Sequence, residues 1–510
     1  MAHPDDAVVG LVNNSAGSAF PRARVVFWLG TATLTGAVIM GLELVSFRLY
    51  APYLGYSIYV WGSMISVVMA ALSAGYALGG WMADRSESDL PLYATVLASG
   101  LYQLVVVFGA LALLRRLEGW GEFTGTVLAT LLIFAPPMTA LAITSPFVIR
   151  LLARAGRVGV TAGRVYALST VGSIAGVLAT TFLLIPRFGT RMTLIVLCVA
   201  SVVLGAAGLA AFKRIALVGL LPLTIFALVP APGLPIYEIW RAESVYNSVR
   251  VIRWGGYLWL ALNQLRYSHT TRKERALWAG SYQDDYALGP LLVRGRRLLV
   301  LGMGAGASII VTRAVAEDIQ VDAVEIDPQV VEAAGLFFGI RSDPRWLRIH
   351  VADARPWLAQ DSRTYDLVHV DLYHGGPYIP FYLATEEFFR LVRARLAADG
   401  LLIMNVYDLG KKRELLSATV ATLQRVFATV AVLSRDDGNH ILFASPQKRT
   451  LDSLRAALVG AGSDEKVGEL ARRAASRIAE IRSPEGAPVF TDDHAPIEEL
   501  IRKTLVAPQP

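Results

Sequence analysis

The stretch Arg297-Leu-Leu-Val-Leu-Gly-Met-Gly-Ala-Gly306 decides the fold of the C-terminal half of this 510-residue chain. An apolar run long enough for one strand leads into three glycines at alternate positions, and a helical pattern follows over Ala307 to Glu317. A strand, a glycine turn and a helix in this order predict a layered α/β fold, in which ligands bind at the carboxyl ends of the strands. The glycines allow a tight turn and a close approach to a ligand beside the helix N-terminus.

The pattern repeats downstream, which predicts a parallel, Rossmann-like sheet over residues 291–510. Helical stretches separate several of the apolar runs, as crossover connections between parallel strands require. Further strands are predicted at Val321–Glu325, Leu347–Val351, Tyr365–Asp371, Gly400–Val406, Thr429–Leu433 and His440–Ala444.

Three acids follow successive strands and indicate a nucleoside ligand. Glu325 ends the second strand, 19 residues after Gly306, where a carboxylate can accept both ribose hydroxyls. Asp353 follows the third strand, where it can take an adenine amino group, and Asp371 ends the fourth, where a reacting group would lie. Glu325 alone reads equally as a solvated strand end, but the ordered set predicts an adenosine-containing cofactor. The GxGxG turn favours the methyltransferase-like sheet over a nicotinamide-binding one.

A small antiparallel β-domain is predicted at 234–290, before the Rossmann-like domain. Residues alternate between apolar and polar over Ser248–Arg253 and again over Tyr257–Leu262, and Gly255-Gly256 lies between the two runs. Such alternation around a glycine pair is a hairpin signal.

The N-terminal half has the composition of a membrane protein. Apolar residues make up 54% of the chain and charged residues 17%, whereas a soluble domain carries about 25% charged residues. After a polar tail at 1–24, the region 25–233 is predicted to be a transmembrane bundle of about seven helices, each near the ~20 residues that span hydrocarbon. The predicted segments are 25–48, 57–82, 90–114, 124–149, 165–186, 192–212 and 215–231. The Pro136-Pro137 pair is a candidate break in the fourth.

Two features of these segments have functional and structural interpretations. Glu43 lies within the first segment, where an unpaired acid is costly, so it is either a functional group or the partner of an arginine near the helix end. Gly75/Gly79 and Gly172/Gly176 have the spacing that lets helices approach closely, or are simply glycines tolerated in lipid.

The distribution of charge and of metal-binding residues excludes two classes of protein. Of 48 basic and 41 acidic residues, 14 and 8 precede Leu234, so the basic excess lies between the apolar segments and not on a soluble face. This argues against nucleic acid binding. The only cysteine, Cys198, allows no intrachain disulfide, and the seven histidines show no HxxxH spacing. No metal site is predicted.

The membrane orientation that the basic residues of the loops predict conflicts with the side on which a nucleoside cofactor would be found. With seven helices and the N-terminus inside, the inner loops hold nine basic residues and the outer loops five, which places the C-terminal half outside. A nucleoside cofactor from metabolism requires it to be inside. We expect a multi-pass protein of the cell membrane with a cytoplasmic catalytic domain.

From about Ala242 to Ser445 the chain resembles the spermidine synthase (polyamine aminopropyltransferase) family, in the branch that carries an N-terminal multi-helix membrane half. The resemblance depends on several ordered stretches, with a further run at Phe490–Pro496. These stretches are Glu243–Val249, Tyr282–Leu292, Leu301–Gly306, Val324–Pro328, Val351–Ala354 and Tyr365–Asp371.

The resemblance implies a site as well as a fold. The co-substrate would be decarboxylated S-adenosylmethionine, and an amine would attack the methylene beside its sulfonium. Asp371 would be the catalytic acid/base. The cofactor-binding residues implied are Asn247, Gly302, Gly304, Gly306, Glu325, Asp353 and Ala354. The amine-binding residues implied are Tyr246, Gln283, Tyr373 and His374. The loop Tyr373–Thr385 would be either a gate for the acceptor or a packed surface loop.

The departures from the family pattern concern residues that hold amines. Ala305 replaces an acid of the glycine turn, His374 replaces a second acid three residues after Asp371, and Gln283 replaces a histidine. Three functions therefore remain open: an aminopropyltransferase acting on an amine such as putrescine, a methyltransferase using intact S-adenosylmethionine, and a polyamine sensor or transporter that binds without turnover. The expected partners are the amine and the lipid bilayer, with a homodimer left open.

Overall fold

The computed structural model describes residues 20–55, 57–117, 120–153, 158–210, 237–263, 269–462, 464 and 467–506. The chain divides into two compact units, Met1–Gly233 and Leu234–Pro510.

All regular secondary structure described in the N-terminal unit is helical. Five stretches are long and apolar enough to cross a membrane: Arg22–Ala51, Ile58–Arg85, Leu90–Leu117, Ala135–Ala153 and Val158–Ala210. The helices are Arg22–Leu54, Ile58–Arg85, Leu90–Leu117, Glu122–Ile133, Ala135–Ala142, Thr144–Ala153, Val158–Ala179 and Ile185–Ala210, with a π-helical turn at Thr180–Leu184. The predicted seventh segment, 215–231, lies outside the described residues, so a count of seven stays a prediction.

Two of the predicted segment boundaries have a local backbone cause. The predicted fourth segment is divided into three short helices, and the first break, at Phe134, comes two residues before the Pro136-Pro137 pair. Proline lacks the N–H that would continue the helix, so a break at this point follows from the sequence. Between the predicted fifth and sixth segments, Gly189 adopts φ 75°, which interrupts the helical backbone.

Helix contacts in this unit depend on the predicted glycine pairs. A Cβ at Gly172 or Gly176 would collide with the backbone of Thr33 or Ala37 on the first helix. A Cβ at Gly79 would lie 2.6 Å from the carbonyl oxygen of Ile143, and Gly75 is equally close to Thr139. These glycines therefore lie where helix backbones touch, which is the packing interpretation of their spacing.

Glu43 is 9% exposed, and its Oε2 has no hydrogen-bond partner in the described part of the chain. A buried acid pairs elsewhere in this unit: Asp89, 1% exposed, accepts from Arg24 Nη2 at 2.9 Å and from Trp28 Nε1 at 2.7 Å. The predicted partnership of Glu43 with an arginine is not observed for its Oε2 oxygen.

The C-terminal unit begins with a four-stranded antiparallel sheet in the order β1-β2-β3-β4. Its strands are β1 (Glu238–Glu243), β2 (Ser248–Trp254), β3 (Tyr257–Leu262) and β4 (Thr270–Lys273). The β2–β3 hairpin turns at Gly255 and Gly256, both with positive φ, as the alternating pattern predicts. The domain boundary at residue 290 stays a prediction.

An eight-stranded sheet forms the rest of the unit, in the order β12-β10-β11-β9-β8-β5-β6-β7. Its strands are β5 (Arg297–Leu301), β6 (Gln320–Glu325), β7 (Leu347–Val351), β8 (Tyr365–Val370), β9 (Leu396–Tyr407), β10 (Thr429–Ser434), β11 (Asn439–Ser445) and β12 (Ile478–Glu480). Strands β5 to β9 are parallel, whereas β10, β11 and β12 pair antiparallel. The sheet is therefore mixed, and the expectation of a parallel sheet is wrong for the last strands. A tight turn, Arg435–Gly438, joins β10 to β11 and leaves no room for the crossover that parallel pairing needs.

Helices flank the parallel strands and complete the core. They are Gly289–Leu292, Ala307–Val315, Pro328–Ala333, Ala354–Gln360, Glu386–Arg395, Glu414–Gln424, Leu451–Gly460, Gly468–Arg477 and Ile497–Val506. Val249 and Leu260 of the small sheet share one apolar core with Val300 and Ile403 of the large one. This shared core fixes the end of β4 beside the glycine turn.

Candidate functional site

The strand order creates a switch point between β5 and β8. After β5 the chain proceeds to β6 and β7 on one side and then returns to β8 on the other. Open α/β sheets bind ligands at such points, outside the carboxyl ends of the strands. The carboxyl ends here carry the glycine turn after β5, Glu325 at the end of β6, and Asp371 directly after β8.

The glycine turn brings backbone close to these acids. Gly302, Gly304 and Gly306 all have positive φ, between 52° and 80°, a region that favours glycine because it has no Cβ. A Cβ at Gly302 would collide with the carbonyl oxygen of Asp371, and a Cβ at Gly304 would lie 2.8 Å from Thr270 Oγ1. Gly306 is packed against Ile340 and lies outside the described lining of the cleft.

Glu325 is held rigidly at one side of the cleft. Its Oε2 accepts from the Gly304 N–H at 3.0 Å, and its Oε1 accepts from the Asp327 N–H at 3.1 Å. Burial raises the pKa of Glu325 to about 7, although these backbone N–H groups partly oppose the shift. Each oxygen keeps a lone pair that can accept a hydroxyl hydrogen.

Asp353 and Ala354 lie next to it, at the start of the helix Ala354–Gln360. Asp353 Oδ1 accepts from the Arg355 N–H at 2.9 Å and caps that helix. Its Oδ2 accepts from the Tyr382 hydroxyl at 2.8 Å. Tyr382 therefore ties the loop Tyr373–Thr385 to the side of the cleft on which Glu325 lies.

Asp371 lies on the opposite side of the glycine turn. Its Oδ2 accepts from the Tyr282 hydroxyl at 2.9 Å, while its Oδ1 is buried with no hydrogen-bond partner in the described residues. Burial raises the pKa of Asp371 to about 7, and the Tyr282 hydroxyl and the nearby Asn405 amide partly offset the shift. A buried carboxylate that titrates near neutrality and has one oxygen available is suited to take up a proton.

The predicted amine-binding residues separate into two groups. Gln283, Tyr373 and His374 line the cleft with Asp371, whereas Tyr246 is not among its described lining residues. The Tyr373 hydroxyl donates to the Asn405 carbonyl at 3.1 Å and accepts from the Tyr407 N–H at 2.9 Å, which holds its ring in place. The roles of these residues remain predictions.

Asn247 lines the cleft, but its side chain belongs to a buried network. Its Nδ2 donates to Asp327 Oδ2 at 2.9 Å, and its Oδ1 accepts from Asn263 Nδ2 at 2.8 Å. Ser244 donates to the same Asp327 oxygen at 2.7 Å. These bonds lock the small sheet to the loop after β6, so Asn247 shapes the wall near Glu325.

Several lining residues were not predicted. Tyr282 lies within a stretch that carries the family resemblance, so a signal for it was present. Thr270, whose Oγ1 accepts from the Ala305 N–H at 2.9 Å, and His269, whose Nε2 accepts from the Gly376 N–H at 3.2 Å, belong to no motif. They reach the cleft only because β4 packs beside the glycine turn, and no sequence pattern gives that contact.

The predicted gate loop, Tyr373–Thr385, is fastened by the C-terminal run Phe490–Pro496. Arg355 Nη2 donates to Asp492 Oδ2 at 2.6 Å, and the Thr385 hydroxyl donates to Asp492 Oδ1 at 2.8 Å. Arg355 Nη1 also donates to the Tyr382 carbonyl at 2.8 Å. We call this set the Asp492 clamp; the predicted gate role of the loop stays a prediction.

Within the described residues, no three His, Cys, Asp or Glu side chains lie close enough together to hold a metal ion.

Comparison with known proteins relates part of the C-terminal unit to a known family domain. Residues 288–434 match the model of the spermine/spermidine synthase domain. A probable polyamine aminopropyl transferase of Bifidobacterium longum is 28% identical over 304 residues, which cover 53% of this chain and 64% of that protein. A polyamine aminopropyltransferase of Synechococcus sp. (strain JA-3-3Ab) is 36% identical over 145 residues, covering 26% and 45%. Residues 288–434 therefore match the spermine/spermidine synthase domain, and the two aminopropyltransferases to which this part of the chain is similar are transferases.

A third relative is named as a methyltransferase and not as an aminopropyltransferase. The eEF1A lysine and N-terminal methyltransferase of Homo sapiens is 31% identical over 161 residues, which cover 29% of this chain and 22% of that protein. The chain thus spans less than two thirds of the length of each of these curated relatives. Among solved structures, a probable spermidine synthase from Corynebacterium glutamicum aligns with a TM-score of 0.39 at 21% identity, covering 52% of this chain and 97% of that one.

Proposed function

We propose that this chain is a membrane-bound polyamine aminopropyltransferase, similar to spermidine synthase. It transfers the aminopropyl group of decarboxylated S-adenosylmethionine to an amine such as putrescine and releases methylthioadenosine. The observation that carries the proposal is Asp371, a half-buried residue at the switch point. Its carboxylate Oδ1 is buried and makes no hydrogen bond of ordinary geometry in the described residues, and burial raises its pKa to about 7.

The chemistry needs little more than positioning and one base. The amine nitrogen attacks the methylene next to the sulfonium, the carbon–sulfur bond breaks, and its electron pair neutralises the sulfur. The nitrogen must be unprotonated as it attacks, and the proton it then loses goes to Asp371. Because the sulfonium is already a good leaving group, holding the two substrates in line supplies much of the remaining rate.

The other cleft residues are suited to hold the nucleoside. Glu325 faces the cleft with a free lone pair on each oxygen and would accept the ribose hydroxyls. Asp353 and Ala354, at the neighbouring helix start, would take the adenine. The closeness of Gly302 to Asp371 would bring the sulfonium end of the donor against the base.

The N-terminal unit would hold the enzyme in the cell membrane. Its five long apolar stretches meet the length needed to cross hydrocarbon. The donor is made in the cytoplasm, so the C-terminal unit is proposed to face that side.

The decisive experiment measures methylthioadenosine release by the full-length protein in nanodiscs, supplied with decarboxylated S-adenosylmethionine and putrescine or other small amines. We expect release, and a loss of about 10²–10⁴-fold in Asp371→Asn, the usual contribution of a general base. The matched control is Asp399→Asn, an exposed carboxylate in β9, which keeps the wild-type rate. Absence of release with every amine would refute the proposal, and a wild-type rate in Asp371→Asn would refute the role of this base. If Asp371→Asn loses turnover but still binds methylthioadenosine, a protein that only senses its ligand is excluded.

A second candidate function is methyl transfer from intact S-adenosylmethionine. The human methyltransferase among the relatives favours it, as does Ala305 at the position where the family carries an acid. Calorimetry with the intact and the decarboxylated donor separates the two functions. Tighter binding of the decarboxylated form supports aminopropyl transfer, whereas tighter binding of the intact form supports methyl transfer.

A further inference from the structure

The cleft has few carboxylate oxygens for positively charged groups. Its described lining holds three acids, Glu325, Asp353 and Asp371. Glu325 and Asp353 are bonded to backbone N–H groups at the nucleoside end, and Asp353 also accepts from Tyr382. At the reacting end only Asp371 remains, with Oδ2 bonded to Tyr282 and Oδ1 without a partner in the described residues.

A diamine acceptor would bring more charge than this end of the cleft can balance. The attacking nitrogen of a diamine is neutral, but its second nitrogen remains an ammonium at neutral pH. The donor carries another ammonium at the end of its aminopropyl chain, and both would compete for the one available oxygen of Asp371. Burial of an ammonium without a carboxylate partner is strongly unfavourable.

Gln283, the residue after Tyr282, offers a neutral partner in place of a carboxylate. Gln283 is 3% exposed and lines the cleft. Its amide lies close to the Tyr282 hydroxyl and lowers the pKa of that group, but neither Nε2 nor Oε1 makes a hydrogen bond of ordinary geometry in the described part of the chain. A buried amide left unsatisfied on both atoms is rare unless a ligand completes it. Because the amide both donates and accepts, it suits a hydroxyl or a carboxamide, whereas an ammonium can only donate.

The imidazoles beside Gln283 do not supply negative charge either. His269 accepts the Gly376 N–H on Nε2, which requires that nitrogen to be unprotonated. Burial, together with the neighbouring His374, lowers the pKa of His269 to about 4, so its ring is neutral at physiological pH. His374 lines the same end of the cleft.

We propose that the acceptor presents one amine nitrogen to Asp371 and a hydroxyl or carboxamide group to Gln283, so that amino alcohols and amino amides are taken in preference to diamines. This inference rests on the proposed aminopropyl transfer. The transfer itself is unchanged: the nitrogen–carbon bond forms, the carbon–sulfur bond breaks, and the proton passes from nitrogen to Asp371.

The test compares three acceptors of equal chain length: aminobutanol, putrescine and butylamine. The full-length protein in nanodiscs is supplied with decarboxylated S-adenosylmethionine, and kcat/KM is measured from methylthioadenosine release. We expect aminobutanol to exceed both other amines by about tenfold or more, since a site that bonds a hydroxyl discriminates against analogues that lack it. Putrescine exceeding aminobutanol would overturn the inference while keeping the proposed function. Absence of release with all three would overturn both.

Two variants assign the preference to Gln283. Gln283→Leu should reduce aminobutanol to the level of butylamine, and Gln283→Glu, which adds a carboxylate of nearly the same shape, should shift the preference towards putrescine. The control is Gln360→Leu, an exposed glutamine in the helix Ala354–Gln360, which should leave all three values unchanged. An unchanged ratio of aminobutanol to butylamine in Gln283→Leu would overturn the assignment, and misfolding is detected separately by methylthioadenosine binding.

Discussion

Burial raises the pKa of both Glu325 and Asp371. Each carboxyl group lies deep in the cleft, and loss of hydration raises each pKa to about 7. Both therefore change charge near physiological pH, so nucleoside binding and proton uptake are each expected to depend on pH. The two dependences can be separated, because methylthioadenosine is uncharged at sulfur and does not require Asp371 to be ionised.

We predict that methylthioadenosine binding weakens below about pH 7. Only ionised Glu325 accepts both ribose hydroxyls, so Kd should rise by about tenfold per pH unit below the raised pKa and level off above it. Calorimetry over pH 5 to 9 measures this. Glu325→Gln should bind weakly without the pH dependence, and Asp371→Asn should keep the wild-type profile. A flat wild-type profile would contradict the assignment of Glu325.

Tyr282→Phe is predicted to move the activity profile to higher pH. The Tyr282 hydroxyl stabilises ionised Asp371 through a 2.9 Å hydrogen bond, so its removal raises the Asp371 pKa further. Less base is then ionised at pH 7, and the rate should fall by about tenfold there, as one lost hydrogen bond to a charged group implies, and recover at higher pH. Single-turnover rates across pH test this. Equal loss at every pH would mean that Tyr282 acts only by positioning the substrates.

At this scale the sequence predicts the residues that follow strands but not those that reach the site from elsewhere. Glu325, Asp353 and Asp371 lie at strand ends, and parallel strands bring those ends to one edge, so their convergence follows from the sequence. His269 and Tyr382 reach the cleft through tertiary packing and a loop. Gly306 and Tyr246 belong to matching motifs, yet they lie outside the described lining, because a motif does not specify which side chains face the ligand.

Among the elements, the long apolar helices of the N-terminal unit show how strongly a single glycine affects helix packing. Gly172 and Gly176 lie against the backbone of the first helix, so the two helices touch without intervening side chains. In hydrocarbon such close contact is a main source of helix association, since lipid offers no hydrophobic driving force.

Gly172→Ala is therefore predicted to destabilise the N-terminal unit. The added Cβ would collide with the Thr33 carbonyl oxygen, and overpacking of this kind costs about 1–3 kcal/mol. The melting temperature of the purified protein in detergent should fall. Gly163→Ala is the control on the same helix: a Cβ there meets nothing within 4 Å, so its melting temperature should be equal or higher. Equal melting temperatures for both variants would show that the close contact contributes no stability.

The elements themselves follow closely from hydrophobic periodicity, and their errors have local causes. The strands from β5 to β8 agree with the predicted bounds within a residue, because each is a buried apolar run between turn signals. Strand direction does not follow from periodicity, because the apolar runs of β10 and β11 would look the same in a parallel or an antiparallel sheet. Strand β12 was not predicted because its three residues are too few for a periodic pattern. Direction depends on the connections, which periodicity does not encode.

At the scale of the whole molecule, the open question is which side of the membrane the C-terminal unit faces. The count of basic residues in the loops depends on the number of helices, and residues 211–236 lie outside the described part of the chain. One additional crossing reverses the result, so the sequence does not decide orientation. The proposed donor is a cytoplasmic metabolite, so the proposed function requires the C-terminal unit to face the cytoplasm.

We predict that the C-terminus is cytoplasmic. Green fluorescent protein fused after Pro510 should fluoresce in a bacterial host, whereas alkaline phosphatase at the same position should be inactive. Each reporter is a control for the other, because the fluorescent protein is active only in the cytoplasm and the phosphatase only outside it. Phosphatase activity without fluorescence would place the cleft outside the cell and would contradict a cytoplasmic donor.

The Asp492 clamp has a consequence for biosynthesis. Asp492 follows the last strand of the large sheet, yet it fastens the loop that carries Tyr382, whose hydroxyl in turn supports Asp353. A chain still on the ribosome, or one trimmed by a protease before this point, would possess every strand of the central sheet and an unfastened cleft. On the proposed function, catalytic competence would thus be acquired only once Asp492 has been synthesised, after every strand of the central sheet and all the long apolar helices.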